Sequence, residues 1–541
     1  VGNRVYVRDY TVPGEWDSAE GIRQAILAAK EQEAEELIFE AGTYMLKSWI
    51  TPDYMPDART TLSQQDVGLI FHIYLKQMHG LRVIGAVDGQ GNPATVLVGY
   101  NDQKVHSFLP AIMKAEECDG LILENIAFDR YPQFASAGKV LEVAGDEVTV
   151  EVAEGNPCYD GMGTYCINRF SPDGTTLTGE SVTYGDGSGQ NWVLAGERTL
   201  VLKNADVASK VRKGECLSWH QGAKTDFQVN LTRCGDLVLN NIRTYNSNGF
   251  AMQAHRCRNI KANKVVFKPP VGNQLFTAPR DAWKLLKCSG IIEISGMVVE
   301  GVRMDGQNMH SNWLELHQIV SSHEAVFNGR GFPKEDIPDN SEVEFYNGEQ
   351  MLVGLVKESR MVQGEDGKVR CHIVFADRLP DWAEEGILCA AKAWEPERYL
   401  CRDSHFRNIA GAGHLVRFDN LVLLNCKYEN LMNPGILLGA ELPVHMEGGH
   451  ATNILIKWCE FTNCGFHPRY EAVGCIGIRS AGLHGPYNKD IIISDNLFRN
   501  SQVGIHVTDA RNVYMIRNRF EGIEEPVRVE EETTDHIVVY E

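Results

Sequence analysis

One short motif returns ten times along this chain, and that return constrains the fold more than any other feature. Each copy opens on Gly, Asn, Asp or His, places an apolar residue next, and then alternates. The copies begin at Gly80-Leu81, Gly120-Leu121, Asp236-Leu237, Asn259-Ile260, Gly290-Ile291, Asn420-Leu421, Asn453-Ile454, Asp490-Ile491, Asn512-Val513 and His536-Ile537. From 236 to 290 they stand 23 and 31 residues apart, and from 420 to 536 they stand 33, 37, 22 and 24 apart. One coil of a parallel β-solenoid takes that length, and each coil buries its apolar face only against its neighbours. The recurrent Asn or Asp suits a turn that stacks from coil to coil, because both tolerate left-handed geometry and bond to nearby backbone. Cys118, Cys234, Cys257 and Cys288 stand just before their copies and read as a buried interior column of small apolar filler.

Two intervals break the period, 116 residues from 120 to 236 and 130 from 290 to 420. Each holds a coil and an inserted block of short β-rich runs with Gly and charged turns, as a small antiparallel barrel would. At the N-terminus an amphipathic helix is expected from about Ser18 to Glu35, placed to cap the open end of the solenoid. The division that follows is 1–137 for the cap and first coils, 138–222 for the first insertion and 223–316 for the central coils. The second insertion is 317–400, and the last coils are 401–541.

Composition excludes some functions. A formal net charge of -20 and a pI near 5.4, with no cluster of Lys and Arg, exclude nucleic acid as a partner. No apolar run is long enough to span a bilayer, so a soluble protein is expected. The 14 Cys stand mostly singly and without a CxxC pair, which argues for buried thiols and against a structural zinc site. The sequence opens at Val1 without a signal-like segment, which leaves the compartment open between cytoplasm and export with the leader removed. Long solenoid flanks leave room for a homodimer, and no motif encodes one.

Polar residues that the repeat does not need gather between Asn246 and His310 and again over 433–453. Adjacent coils stand only about 4.8 Å apart, so equivalent positions lie side by side. Asp281 and Asp305 are thus expected in one cleft. Glu447 and His445 close its far side if the second gap holds a single coil besides its insertion. An Asp-Gly pair such as Asp305-Gly306 is also an ordinary tight turn.

The order of helix, "AGTY" strand, insertion, "RDAW" coil, "GVRMDGQNMH" turn, second insertion and "HMEGGHATNILIKWCEF" resembles the bacterial exo-acting α-galactosidases of glycoside hydrolase family 110. The resemblance covers nearly the whole chain. It implies an all-β fold, a right-handed parallel β-helix with two inserted barrel-like modules and a capping helix. In that family an Asp precedes the turn, and Asp281 takes its place. The turn carries two adjacent Asp, then Asn and His. The second Asp matches Asp305, the Asn matches Asn308, the His matches His310, and Met304 stands where the first Asp would be.

The resemblance implies an inverting exo-hydrolase for a terminal α-linked galactose or related sugar on a glycan, with no cofactor and no metal. Inversion needs one carboxyl to protonate the leaving oxygen and another to activate water. Asp281, Asp305 and Glu447 are the candidates. Asn308, His310, His445 and Arg280 are candidate sugar ligands, and Trp283 and Trp313 are candidate stacking platforms. Two other readings stay open. A polysaccharide lyase on the same solenoid would need basic groups for a uronate, and a non-catalytic sugar-binding solenoid would suit Met304.

Overall fold

The computed structural model describes residues 2–51, 70–101, 109–183, 190–222, 227–270, 272–329, 337–348, 350–442, 445–471 and 473–541. Three parallel ladders wind along one axis. The first climbs from Arg4–Tyr6 through Glu36–Ile38 and Arg82–Ile84 to Thr534–Tyr540. The second starts at Gly42–Leu46 and ends in Arg519–Val529. The third runs from Phe71–Lys76 through Trp283–Leu286, Gln307–Asn312, His414–Val416, Ile436–Leu438 and Ile476–Ile478. The chain is therefore a parallel β-helix of three faces, as the repeat predicts.

The repeat marks one corner of this helix. All ten opening residues, from Gly80 to His536, have φ between +48° and +71°. Asn and Asp at this corner also bond along the axis: Asn259 donates to Asp236 Oδ1 at 2.9 Å, Asn453 to Asn420 Oδ1 at 2.8 Å and Asn512 to Asp490 Oδ1 at 3.1 Å. A second left-handed corner separates the first face from the second, and there the residues are as varied as Asn241, Lys264, Gly296, Trp458 and Arg517.

Inside, identical positions stack. Phe406, Tyr428, Phe461, Phe498 and Phe520 form one column with ring centroids 4.9 to 5.1 Å apart. Cys118, Cys234, Cys257 and Cys288 form another, each 2% exposed or less, and all fourteen cysteines are free thiols. The helix at the N-terminus covers Ala19–Glu31 and buries Ile22, Ala25, Ile26 and Ala29 in the same core. It is shorter than the expected Ser18–Glu35, because Glu33 turns left-handed at φ +48° and Glu36–Ile38 is drawn into the first ladder. No helix among the described residues is long and apolar enough to cross a membrane.

Two antiparallel sheets leave the coils. One has seven strands between Ala135 and His220 and packs around Trp192 and Trp219. The other is a closed six-stranded barrel, from Leu314–Ser321 to Leu388–Ala391, filled by Phe327, Phe345 and Phe375. Lys392, at the barrel's exit, meets Asp419 at 2.8 Å and Glu344 at 3.7 Å and also contacts Glu395, which ties barrel to coil. Between the barrel and Leu421 the chain makes a single coil, Arg398–Arg402, His405–Ile409 and His414–Val416.

Candidate active site

The candidate residues meet on the outer side of the third face. Strand alternation decides which side chains point there. Trp283 pairs with Gln307 and Lys284 with Asn308, so Trp283 faces the core while Lys284 and Asn308 face outward. Asp281 and Asp305 each stand two residues before their strands on successive coils. The Asp305 amide donates to Asp281 Oδ1 at 3.1 Å, and Asn308 Nδ2 donates to Asp281 Oδ2 at 3.4 Å. Asp305 Oδ1 in turn accepts the Ala412 N–H at 2.8 Å. Gly411 makes this approach feasible, since a Cβ there would lie 2.6 Å from Asp305 Oδ1.

Burial and the neighbouring Asp281 charge push the Asp305 carboxyl up to about 8, against the opposing Ala412 N–H. Asp281 is also raised, by burial first, while Lys284, the Asp305 N–H and Asn308 work against it. Two carboxyls this close do not ionise together at neutral pH. Asp305 is the protonated member.

Glu447 reaches the same face from the segment that follows the third-face strand Ile436–Leu438. The segment Glu447–Gly448 pairs antiparallel with Ser311–Asn312. Its carboxylate stands 3.2 Å from Arg417 Nη1 and 3.4 Å from His310 Nε2. Burial opposes its ionisation, but the charges of His310, Arg417 and Lys284 outweigh that and hold it at about 2. Burial also keeps His310 neutral down to about 3, so at neutral pH Arg417 is the charged partner. Gly449 serves the backbone here, because its φ is +120° and a Cβ would fall 1.7 Å from the Arg417 carbonyl oxygen.

The structure thus brings Asp281, Asp305, Asn308, His310 and Glu447 together. His445 is exposed at the rim, where its backbone N–H donates to Glu441 Oε2 at 3.1 Å. Arg280 lies under Met304, with Nη1 4.0 Å from the thioether sulfur. The two tryptophans are elsewhere. Trp283 is fully buried in the solenoid core, and Trp313, 1% exposed, is packed edge-on against Tyr346 and His450 at the barrel junction. Neither indole presents a face to a sugar, because inward strand alternation takes one and the barrel covers the other.

A cleft of about 570 Å³ opens beside Asp305 and Met304 and extends across the next coils. Glu441, Arg417, Arg469 and Arg479 line it, and the sequence reading missed all four. Coil register would have found Arg417 and Arg479, which follow the third-face strands at the position His310 takes in its own coil. Glu441 sits in the polar stretch 433–453 and had no pattern of its own.

No family model matches the chain. Over 489 residues it is 22% identical to alpha-1,3-galactosidase A of Bacteroides thetaiotaomicron, covering 85% of this chain and 81% of that protein. Alpha-1,3-galactosidase B of the same organism is 20% identical over 511 residues, with 88% and 79% covered. The resemblance to the family 110 α-galactosidases extends over most of the chain. Among solved structures, an exopolygalacturonase from Thermotoga maritima superposes with a TM-score of 0.46 at 11% identity, covering 98% of this chain and 92% of that one.

Proposed function

We propose that this chain is an exo-acting glycoside hydrolase that removes a terminal α-linked galactose or a related sugar by inversion. The observation that carries the reading is Asp305, a carboxyl that lines the cleft and keeps its proton up to about pH 8. Relatives named alpha-1,3-galactosidase over most of their length support the sugar. Glycoside hydrolysis needs an acid that still holds its proton at working pH, and Asp305 supplies it.

The second carboxylate is argued from access. Asp281 is 3% exposed and both its oxygens accept protein donors, so it keeps Asp305 protonated rather than meeting a water. Glu447 is ion-paired to Arg417 through one oxygen and faces His310 with the other, and a carboxylate held near 2 is a weak base. Glu441 lines the cleft with Oε2 held by the His445 N–H. In this mechanism Asp305 gives its proton to the leaving oxygen, Glu441 takes one from the attacking water, and the carbon–oxygen bond breaks with inversion.

Proton NMR of the released sugar tests this. The expected result is β-galactose from an α-galactoside, with Asp305→Asn and Glu441→Gln each slowing turnover at least a hundredfold. Release of the α anomer would refute inversion. Absence of turnover on every α-galactoside tried would refute the class.

A further inference from the structure

The cleft is cationic in a strongly acidic protein. Against a formal net charge of -20 for the chain, Arg417, Arg469 and Arg479 line it, and of its two carboxyls Asp305 holds its proton at neutral pH. Surfaces of a chain this acidic repel anions in general, so a local reversal of sign has a ligand's chemistry in it.

The coil register places these groups. Met309 pairs with Val416, Val416 with Leu438 and Leu438 with Ile478, so the following positions are His310, Arg417, Gly439 and Arg479 on four successive coils. Gly439 keeps the column open between the two guanidiniums. A Cβ there would lie 1.8 Å from the Arg479 carbonyl oxygen, so no side chain stands in a gap of two coil spacings, roughly 10 Å.

The two arginines of this column differ in what they meet. Arg417 is engaged by Glu447 at 3.2 Å. Among the described residues no carboxylate pairs with Arg479 or Arg469, although both line the cleft. A free guanidinium is a planar fork that matches a carboxylate or a sulfate with two parallel hydrogen bonds. Arg479 lies three coils beyond Asp305, roughly 14 Å, which is farther than one pyranose ring reaches.

We propose that the cleft binds an anionic glycan, with Arg479 and Arg469 holding a carboxylate or sulfate on the sugar next to the one released. The inference rests on the glycosidase reading for which ring is released, whereas the binding itself does not depend on turnover.

Calorimetry with three ligands tests it: α-1,3-galactobiose, the same disaccharide sulfated on its reducing-end ring, and a galactosyl-galacturonate. At least one charged ligand is expected to bind ten times more tightly than the neutral one, and which one gains separates sulfate from carboxylate. Arg479→Gln should erase most of that preference while neutral binding stays within twofold and the melting temperature is kept. Arg469→Gln is the second variant. Equal affinity for all three ligands overturns the proposal, and so does a preference that survives in both variants. Charged preference without any turnover would keep this inference and remove the hydrolase. Turnover without charged preference would do the reverse.

Discussion

The backbone N–H of Asp305 donates to Asp281 Oδ1 at 3.1 Å, so the carboxyls of two successive coils share one electrostatic environment. The Asp281 charge raises the cost of ionising Asp305, and the parallel register brings this about: Trp283 pairs with Gln307, which sets the two preceding aspartates side by side. Asp281 is enclosed and Asp305 lines the cleft, so the enclosed carboxyl tunes the accessible one.

Asp281→Asn removes the charge that helps hold Asp305 near 8. Activity that needs protonated Asp305 should fall above about pH 8 in the native protein. In the variant this alkaline limb is expected to move down by roughly one unit or more, with a smaller loss at pH 5 than at pH 7. A pH profile of kcat/KM measures it, and an unmoved limb would remove Asp281 from this role.

Asp305 also makes stability depend on pH. Its folded value lies above the ordinary 3.8, so the folded state keeps a proton that the unfolded chain releases as pH rises from about 4 to 8. Native stability should therefore fall through that window. Asp305→Asn removes the effect, and at pH 8 the variant is expected to be more stable than the native protein by on the order of 5 kcal/mol. The two should converge near pH 4 in urea unfolding, and parallel curves would contradict the burial argument.

Glu447 has the opposite sign. Its folded value, about 2, lies below the ordinary 4.5, so its contribution is present above 4.5 and is lost as pH falls toward 2. Glu447→Gln leaves Arg417, 5% exposed, without its carboxylate. The expected loss is about 3 kcal/mol at pH 7, shrinking as the pH is lowered through 4.5. A loss that does not depend on pH would point to packing instead of the ion pair.

The repeat was legible because one corner of the β-helix admits few residue types. Gly80, Asn259 and Asn453 adopt the same left-handed conformation, and Gly, Asn and Asp adopt it at low cost. The second corner was silent, since Lys264, Trp458 and Arg517 adopt the same geometry under tertiary constraint. The site divides in a similar way. Asp281 and Asp305 stand at one offset in consecutive coils and could be read from spacing. Glu441 is brought in by a loop whose path depends on the bridges from Glu441 to Glu447 and Ala481, which no periodicity encodes. Trp283 misled because an aromatic beside two polar residues suits a sugar, and only strand alternation shows that it faces inward.

The aromatic column supplies a test of the fold apart from the site. Phe461 stacks on Tyr428 and Phe498 at 4.9 Å on both sides and is fully buried. Phe461→Ala opens a cavity between two coils, and the expected cost is about 3–5 kcal/mol. Calorimetric melting with the variant measures it. A loss below 1 kcal/mol would mean that adjacent coils close the gap.

Met304 stands beside Asp305 in the cleft, and its position makes its part in substrate choice testable. Its sulfur lies 4.0 Å from Arg280 Nη1. Met304→Asp places a carboxylate within reach of Arg280 and adds negative charge to a cleft whose free arginines favour an anion. Like charges repel, so the variant should lose charged disaccharides more than neutral ones. The expected outcome is a change of at least tenfold in the ratio of kcat/KM for α-1,3-galactobiose to that for its sulfated form, in favour of the neutral sugar. A ratio unchanged within twofold would separate Met304 from substrate choice and leave it as packing over Arg280.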